Sequence, residues 1–123
     1  IYTNTRSSAA SDVYKRQDHM FDGTLEYMQA NNILPMAYSP LGSYFKEDDG
    51  KIKDLVDKLK NKYGCTDYQL LISWLLKHPS KVYPVIGTTK SDRIKSTLES
   101  LKIEIDLIDW FELLEASVGK RVP

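Results

Sequence analysis

The sequence of 123 residues has little cysteine, little histidine and no excess of charge of either sign. One cysteine cannot form an internal disulfide, so a secreted scaffold held by disulfides is excluded, and a reducing, cytoplasmic compartment is expected instead. Cys65 has no cysteine or histidine beside it, so no metal site is predicted, and we interpret it as a small, half-buried side chain. The 17 basic and 17 acidic side chains cancel, which argues against nucleic-acid binding, because that function needs a basic excess on one face.

Long apolar runs are missing as well. No stretch approaches the roughly 20 apolar residues of a transmembrane helix, and no apolar stretch follows a basic start as in a signal peptide. We therefore expect neither a membrane span nor a leader. Apolar residues make up 41% of the chain, which is ordinary for a globular protein, and the length suits one domain at most.

The first 17 residues differ from the rest of the chain. They read IYTNTRSSAASDVYKRQ, which is polar, rich in small residues and without a helical or strand period, as in disordered segments. The run SSAASDVYKRQ also resembles a translated adapter or an assembly junction. We therefore predict that residues 1–17 form a non-native or disordered tail that packs poorly, and that residues 18–123 form the folded part.

Regular patterns begin at Phe21 and alternate between helix and strand. Two short apolar runs are followed by turn residues: Ile33–Tyr38 predicts a buried strand, and Val82–Ile86, with Pro84 inside it, predicts a second strand. Strands that alternate with helices indicate parallel strands joined by crossover helices. Since two or three such units cannot close a sheet by themselves, the pattern predicts an α/β segment that ends a larger fold.

Apolar residues at helical spacing predict five helices around these strands. Their expected boundaries are a cap at Asp22, a carboxy-terminal Gly64, a capping box Thr66-x-x-Gln69, a start near Ser91, and a cap from Asp106 with Asp109. The fourth of these helices carries an apolar stripe of Ile94, Leu98 and Leu101.

The residues with useful chemistry follow the two predicted strands directly. The loop Gly87–Ser91 combines a glycine that admits close backbone approach with hydroxyls and a lysine at a helix start, and Arg93 follows. Free N–H groups and the positive end of the helix dipole at such a start suit a phosphate. On the residues alone, the same pattern also fits a turn and a helix cap with solvated charges. Ser39–Gly42 is a weaker signal, since Ser, Pro and Gly are ordinary turn residues.

Other candidate residues favour structural interpretations. His78 precedes a proline at a helix end, with no nucleophile or carboxylate patterned around it. The pair Asp48–Asp49 lacks the further oxygen ligands that a metal ion needs. Trp74 and Trp110 lie at helical spacing with leucines, which is typical of core packing.

Three segments together resemble the aldo-keto reductase family, the NAD(P)H-dependent (β/α)8-barrel oxidoreductases. They are FDGTLEYMQANNILPMAYSPLG at 21–42, DYQLLISWLLKHPSKVYPVIGTTKSDRI at 67–94 and DWFELLEASVGKRVP at 109–123. The resemblance implies an α/β fold that is the carboxy-terminal part of a TIM barrel, about the last two strands with the surrounding helices. Ile33–Tyr38 would then be the seventh strand and Val82–Ile86 the eighth.

The resemblance also implies a binding site for NADPH, with NADH possible. In chain order the matching residues are Ser39, Leu41, Gly42, Gly87, Thr88, Thr89, Lys90, Arg93 and Thr97. The first three match the loop at the cofactor pyrophosphate, residues 87–90 the segment at the adenosine ribose and its 2′-phosphate, and Arg93 the arginine that packs on the adenine.

This sequence departs from the family pattern at two points of that site. The loop reads Ile-Gly-Thr-Thr-Lys where the commoner version reads Ile-Pro-Lys-Ser, so the lysine is displaced. Thr97 stands where the family often has an asparagine that reads the adenine edge, and a threonine is too short for the same contact.

The family's catalytic tyrosine, lysine, aspartate and histidine lie in the first half of the barrel, ahead of Phe21, so we assign no catalytic residue and no metal ligand here. The resemblance implies a parent protein that reduces small aldehydes or ketones by hydride transfer from NADPH. The fragment alone is expected to be inactive and to bind the cofactor weakly. Two alternatives stay open: a non-catalytic, cofactor-binding regulatory subunit of the same fold, and an unrelated helical interaction module.

Overall fold

A parallel three-stranded sheet organises the part of the chain that the structure, a computed structural model, describes: residues 2–5, 22–38, 40, 41, 44 and 50–118. The strands are β1 (Tyr2–Thr5), β2 (Leu34–Tyr38) and β3 (Tyr83–Val85), in that order across the sheet. β2 pairs with β3 in parallel, with Met36 opposite Tyr83 and Tyr38 opposite Val85. The predicted parallel pairing of the second and third strands is therefore confirmed.

Five helices follow the order that the sequence predicts. They are α1 (Thr24–Ala30), α2 (Gly50–Tyr63), α3 (Asp67–Leu76), α4 (Ser91–Glu99) and α5 (Leu107–Val118), with a 3-10 turn at Ser100–Lys102. Gly64 ends α2 with a positive φ of 62°, a conformation in which a glycine is least strained. Before α1, Gly23 occupies the cap position with a φ of 85°, and the Asp22 carboxylate instead accepts the N–H of Thr24 at 2.8 Å.

Strand β1 differs from the interpretation of the amino terminus as a tail. Residues Tyr2–Thr5 pair in parallel with Leu34–Ala37 of β2. A strand at the edge of an existing sheet gains backbone hydrogen bonds whatever its side chains are, so a polar sequence without alternation gives no sign of it. The remainder of the segment, residues 6–17, lies outside the described residues, and its boundary with the fold stays a prediction.

Helix α3 forms the centre of the core. Its side chains from Leu70 to Leu75 are all buried, with Leu70, Trp74 and Leu75 fully inaccessible. A helix that is apolar on every side requires neighbours on every side, and α3 contacts α2, α4 and β3.

Two tryptophans join α3 to α5. The ring of Trp74 stacks on that of Trp110, with centroids 5.2 Å apart and an angle of 15° between the planes. Each indole N–H donates to the backbone carbonyl of the other residue, at 3.0 Å from Trp74 and 2.9 Å from Trp110. Both polar tips are thus satisfied inside the core, which confirms the predicted packing role of the pair.

The end of α2 is joined to the start of α5 by a polar cluster. Lys62 Nζ lies 2.6 Å from Asp109 Oδ2 and 3.1 Å from Asp106 Oδ2. The Tyr63 hydroxyl donates to Asp109 and accepts the backbone N–H of Asp106 at 2.8 Å. The cluster fixes where α5 begins.

Helix α4 and the 3-10 turn that follows it carry an exposed apolar stripe. Ile94, Leu98 and Leu101 are 37%, 56% and 66% exposed, and no residue of α4 is buried. The stripe follows helical spacing as predicted, but nothing in the described part of the chain covers it.

Candidate functional site

A cavity of about 540 Å³ lies between the start of α3 and the loop that joins β3 to α4. Thr66, Asp67 and Tyr68 form the α3 side, and the other side consists of Gly87, Thr88, Arg93 and Ser96. Crossover helices run antiparallel to the strands they connect, so the start of α3 and the loop after β3 meet at the carboxyl end of the sheet. This is the end at which ligands bind in parallel α/β folds.

The start of α4 supplies donors to this cavity. Lys90 is the cap residue, with an extended backbone and no side-chain cap. The backbone N–H of Lys90 donates to Thr88 Oγ1 at 3.2 Å. The N–H groups of the first turn that follow are not capped by a side chain, and Arg93 adds a guanidinium on the same side. Asp92, an exposed acid in that turn, partly offsets the positive charge.

The start of α3 is held by the predicted capping box. Thr66 Oγ1 accepts the N–H of Gln69 at 3.1 Å, and Gln69 Oε1 accepts the N–H of Thr66 at 3.1 Å. Gln69 also reaches α4, where its amide nitrogen donates to the Ser96 carbonyl at 2.9 Å and lies 3.2 Å from Ser96 Oγ. One side chain therefore caps α3 and sets its separation from α4.

Leu41 and Tyr44 are two of the described residues that follow β2. The Tyr44 N–H donates to the Leu41 carbonyl at 3.1 Å, and both side chains are buried in the core. Burial, followed by the negative charges of Asp67 and Asp57, raises the pKa of Tyr44 to about 12. Asp67, which also lines the cavity, is thus near enough to Tyr44 to influence its ionisation.

The structure brings together three of the nine residues predicted to bind the cofactor. Gly87, Thr88 and Arg93 line the cavity, whereas Thr89 and Lys90 are exposed beside it. Leu41 directs its side chain into the core, and Ser39 and Gly42 lie outside the described residues. A Cβ at Gly87 would meet nothing within 4 Å, so the protein itself leaves this backbone open to a ligand.

Thr97, the ninth predicted residue, is engaged within the protein. Its hydroxyl donates to the carbonyl of Arg93 at 2.7 Å, and its Oγ1 lies 3.5 Å from the Tyr68 hydroxyl. Thr97 thus connects α4 to α3 at the edge of the cavity.

Sequence reasoning missed the α3 side of the cavity, together with Ser96. The capping box located the start of α3 correctly, but the box identifies only a helix terminus and not what that terminus faces. The signal for the α3 side of the cavity is the antiparallel course of a crossover helix. A helix that runs antiparallel to the strands begins at their carboxyl end, so Thr66, Asp67 and Tyr68 lie at the end of the sheet where Gly87 lies.

The remaining polar candidates lie away from this cavity. His78 follows the far end of α3, where its Nδ1 accepts the N–H of Ser80 at 3.2 Å and burial lowers its pKa. Burial, with a contribution from Asp67, raises the pKa of the Cys65 thiol. Among residues 22–38, 40, 41, 44 and 50–118, no histidine, cysteine and carboxylate side chains are grouped as a metal ion would require. In the same ranges, no helix is both long and apolar enough to cross a membrane.

Comparison with known proteins gives a consistent result. Residues 11–117 match the model of the aldo/keto reductase family, so the match begins within the segment interpreted as a tail. The chain is 36% identical over 107 residues to a 6-dehydroglucose reductase of Agrobacterium fabrum, with 85% of this chain and 36% of that protein covered. It is 30% identical over 112 residues to the uncharacterized oxidoreductase YcsN of Bacillus subtilis, with 86% and 37% covered.

Among solved structures, the chain resembles a thermostable aldo-keto reductase crystallised with the inhibitor epalrestat. The TM-score is 0.78 at 22% identity, with 94% of this chain and 39% of that chain covered. The described fold is thus about two fifths of a TIM barrel, which confirms the predicted fold class. The chain spans little more than a third of the length of the curated relatives named above.

Proposed function

This chain belongs to the aldo/keto reductase family, and we propose that it holds the adenosine-phosphate half of a nicotinamide-cofactor site. The parent protein reduces small aldehydes or ketones, with NADPH as the hydride donor. The observation that carries the proposal is the cavity at the carboxyl end of β3. Arg93 lines this cavity, and it belongs to the first turn of α4, a helix whose start has no side-chain cap. The reductase and oxidoreductase names of the relatives support the reaction class.

The residues of the cavity fit a phosphate group. The first-turn N–H groups of α4 carry no side-chain cap, and such groups together with the helix dipole attract anions. Arg93 presents a planar fork of donors that suits phosphate oxygens. A cation at this place favours NADPH over NADH, because the two cofactors differ by the 2′-phosphate on the adenosine ribose.

The part played by this chain is binding and orientation. The cofactor supplies the hydride when bound, while Gly87, Thr88 and Arg93 hold its adenosine end. The family's acid and base residues are expected ahead of Phe21, so the chain alone should bind NADPH weakly and should not reduce a carbonyl compound. Binding of the adenosine end contributes to the reaction although it is far from the reacting atoms. The free energy gained there helps to hold the nicotinamide end of the same molecule in position.

The test is a titration of the chain with NADPH and with adenosine 2′,5′-bisphosphate, combined with a turnover assay on a nitrobenzaldehyde. Arg93→Ala should weaken both ligands by about 10- to 100-fold, the range for a lost hydrogen bond to a charged group. Lys95→Ala is the matched control, since it removes a cation from the same helix outside the cavity. Affinity that is equal for wild type and Arg93→Ala, or turnover above background, would contradict the proposal.

A further inference from the structure

Tyr68 of α3 lines the same cavity as Arg93 of α4. It is the second residue of α3 and is half-buried, and its ring packs against the edge of the core. Its backbone N–H is accepted by Asp67 Oδ1 at 2.9 Å. A ring that is supported by the core and also lines a cavity offers a flat, pre-positioned surface.

The hydroxyl of Tyr68 is connected to the helix that carries Arg93. Tyr68 Oη lies 3.5 Å from Thr97 Oγ1, and Thr97 donates to the Arg93 carbonyl. Because the Thr97 hydroxyl is used within the protein, it is not free to read the edge of a base. The same contact holds the Tyr68 ring in register with the turn of α4 that bears Arg93.

The charges of the cavity differ between its two sides. The α4 side has Arg93, in the first turn of a helix that has no side-chain cap, whereas the α3 side has Asp67. An anionic phosphate is attracted to the first side and repelled from the second. The neutral part of a nucleotide is therefore directed toward Tyr68.

We infer that Tyr68 is a base-stacking residue, which holds the adenine ring of the cofactor against the face opposite to the Arg93 guanidinium. A base between an aromatic ring and a guanidinium gains from stacking on both faces. The volume of about 540 Å³ lies in the range of small-molecule sites. The inference rests on the proposed function, and it assigns recognition of the base to α3, where no sequence motif had indicated a ligand contact.

The experiment compares adenosine 2′,5′-bisphosphate with ribose 2,5-bisphosphate, which keeps both phosphates and lacks the base, by NMR titration of the 123-residue chain. Tyr68→Ala should weaken adenosine 2′,5′-bisphosphate by about 5- to 150-fold, the range for one base–aromatic stack, and should leave the affinity for ribose 2,5-bisphosphate unchanged. Tyr68→Phe keeps the ring and should bind adenosine 2′,5′-bisphosphate within about twofold of wild type. Tyr27→Ala removes an exposed tyrosine of α1 as the matched control.

A measurement on the wild type makes the inference independent of the folding of any variant. Nuclear Overhauser effects are expected between adenine H2 or H8 and the ring protons of Tyr68. These cross-peaks are assigned to Tyr68 by a Tyr68→Phe sample with deuterated phenylalanine rings, in which the same cross-peaks should be absent. Absence of these effects in a saturated complex would refute the stacking. Equal losses in Tyr68→Phe and Tyr68→Ala would also refute it, because they would assign the contact to the hydroxyl.

Failure of the inference is distinguishable from failure of the proposed function. If Arg93→Ala weakens adenosine 2′,5′-bisphosphate and Tyr68→Ala does not, the phosphate site stands and the stacking role is wrong. If neither substitution alters the affinity, or if the wild type binds no adenosine nucleotide, both the inference and the proposed function are wrong.

Discussion

At the scale of single residues, Asp109 shows how opposing effects determine one ionisation. Its side chain is buried, which alone would raise its pKa, but hydrogen bonds from Lys62 and Tyr63 outweigh burial and lower the pKa. A carboxylate whose pKa is lower in the folded state stabilises that state at neutral pH. The stabilisation is complete above the ordinary aspartate pKa of about 4 and is lost as the pH falls through the lowered value.

Tyr63→Phe tests this assignment, since it removes only the hydroxyl. It should lower the free energy of unfolding at pH 7 by about 2 kcal/mol, because one hydrogen bond to a charged group and one from a backbone N–H are lost. The difference from wild type should narrow below about pH 4, where Asp109 becomes protonated. Urea unfolding at several pH values measures both effects, with Tyr27→Phe as an exposed control. A difference that is constant from about pH 7 to 3 would contradict the role of the ionised Asp109.

At the scale of elements, α3 and α4 are positioned by short polar contacts as well as by apolar packing. Gln69 caps the first of these helices and donates to a carbonyl of the second. Ser73 extends the connection, with its hydroxyl 2.8 Å from the Ser100 carbonyl. Since α4 buries no side chain of its own, these hydrogen bonds are its main attachment to the core on the side of the cavity.

Gln69→Ala should therefore destabilise the packing of α4 against α3 more than it destabilises helix α3 itself. The expected loss of stability is about 1–3 kcal/mol, from a broken capping box and two lost contacts to Ser96. Amide hydrogen exchange should accelerate in α4 more than in α3, where burial persists. Gln29→Ala, at an exposed position of α1, is the control. Equal acceleration in both helices, or none, would show that Gln69 is not the connection.

The elements that local patterns determine were predictable, and those that depend on distant partners were not. The capping box and the glycine at the end of α2 are signals within a few residues, and the structure confirms both. Strand β1 depends on the edge of β2, and the α3 side of the cavity depends on how the chain returns to the sheet. Neither relation can be read from a single segment of sequence, so the sequence pointed to the side of the cavity with Gly87, Thr88 and Arg93 and not to its α3 side.

At the scale of the whole molecule, the described residues form a three-stranded sheet with five helices. The chain covers about two fifths of a barrel relative that it matches in fold, and in the described part of the chain the sheet ends at β3. The helix that follows β3, together with the 3-10 turn at its end, presents Ile94, Leu98 and Leu101 to solvent. An exposed apolar stripe of this kind favours association with other molecules, including further copies of the chain.

Leu98→Lys should reduce the association of the chain with further copies of itself. The substitution places a charge in the middle of the stripe, at a position that is 56% exposed, so folding should be little affected. Tyr27→Lys, at a position of α1 that is 65% exposed, is the matched control outside the stripe. Sedimentation velocity should show a larger monomer fraction for Leu98→Lys than for wild type and for Tyr27→Lys. If Leu98→Lys sediments as wild type does, the stripe is not the contact.

The tryptophan pair between α3 and α5 has an optical consequence. The chain contains two tryptophans, and both belong to this stack. Chromophores with centroids 5.2 Å apart couple their electronic transitions, so the indole bands acquire a paired circular dichroism signal that neither ring has alone. The tryptophan emission of the protein accordingly reports on one place, the contact between α5 and α3, and changes at that contact are visible without any added label.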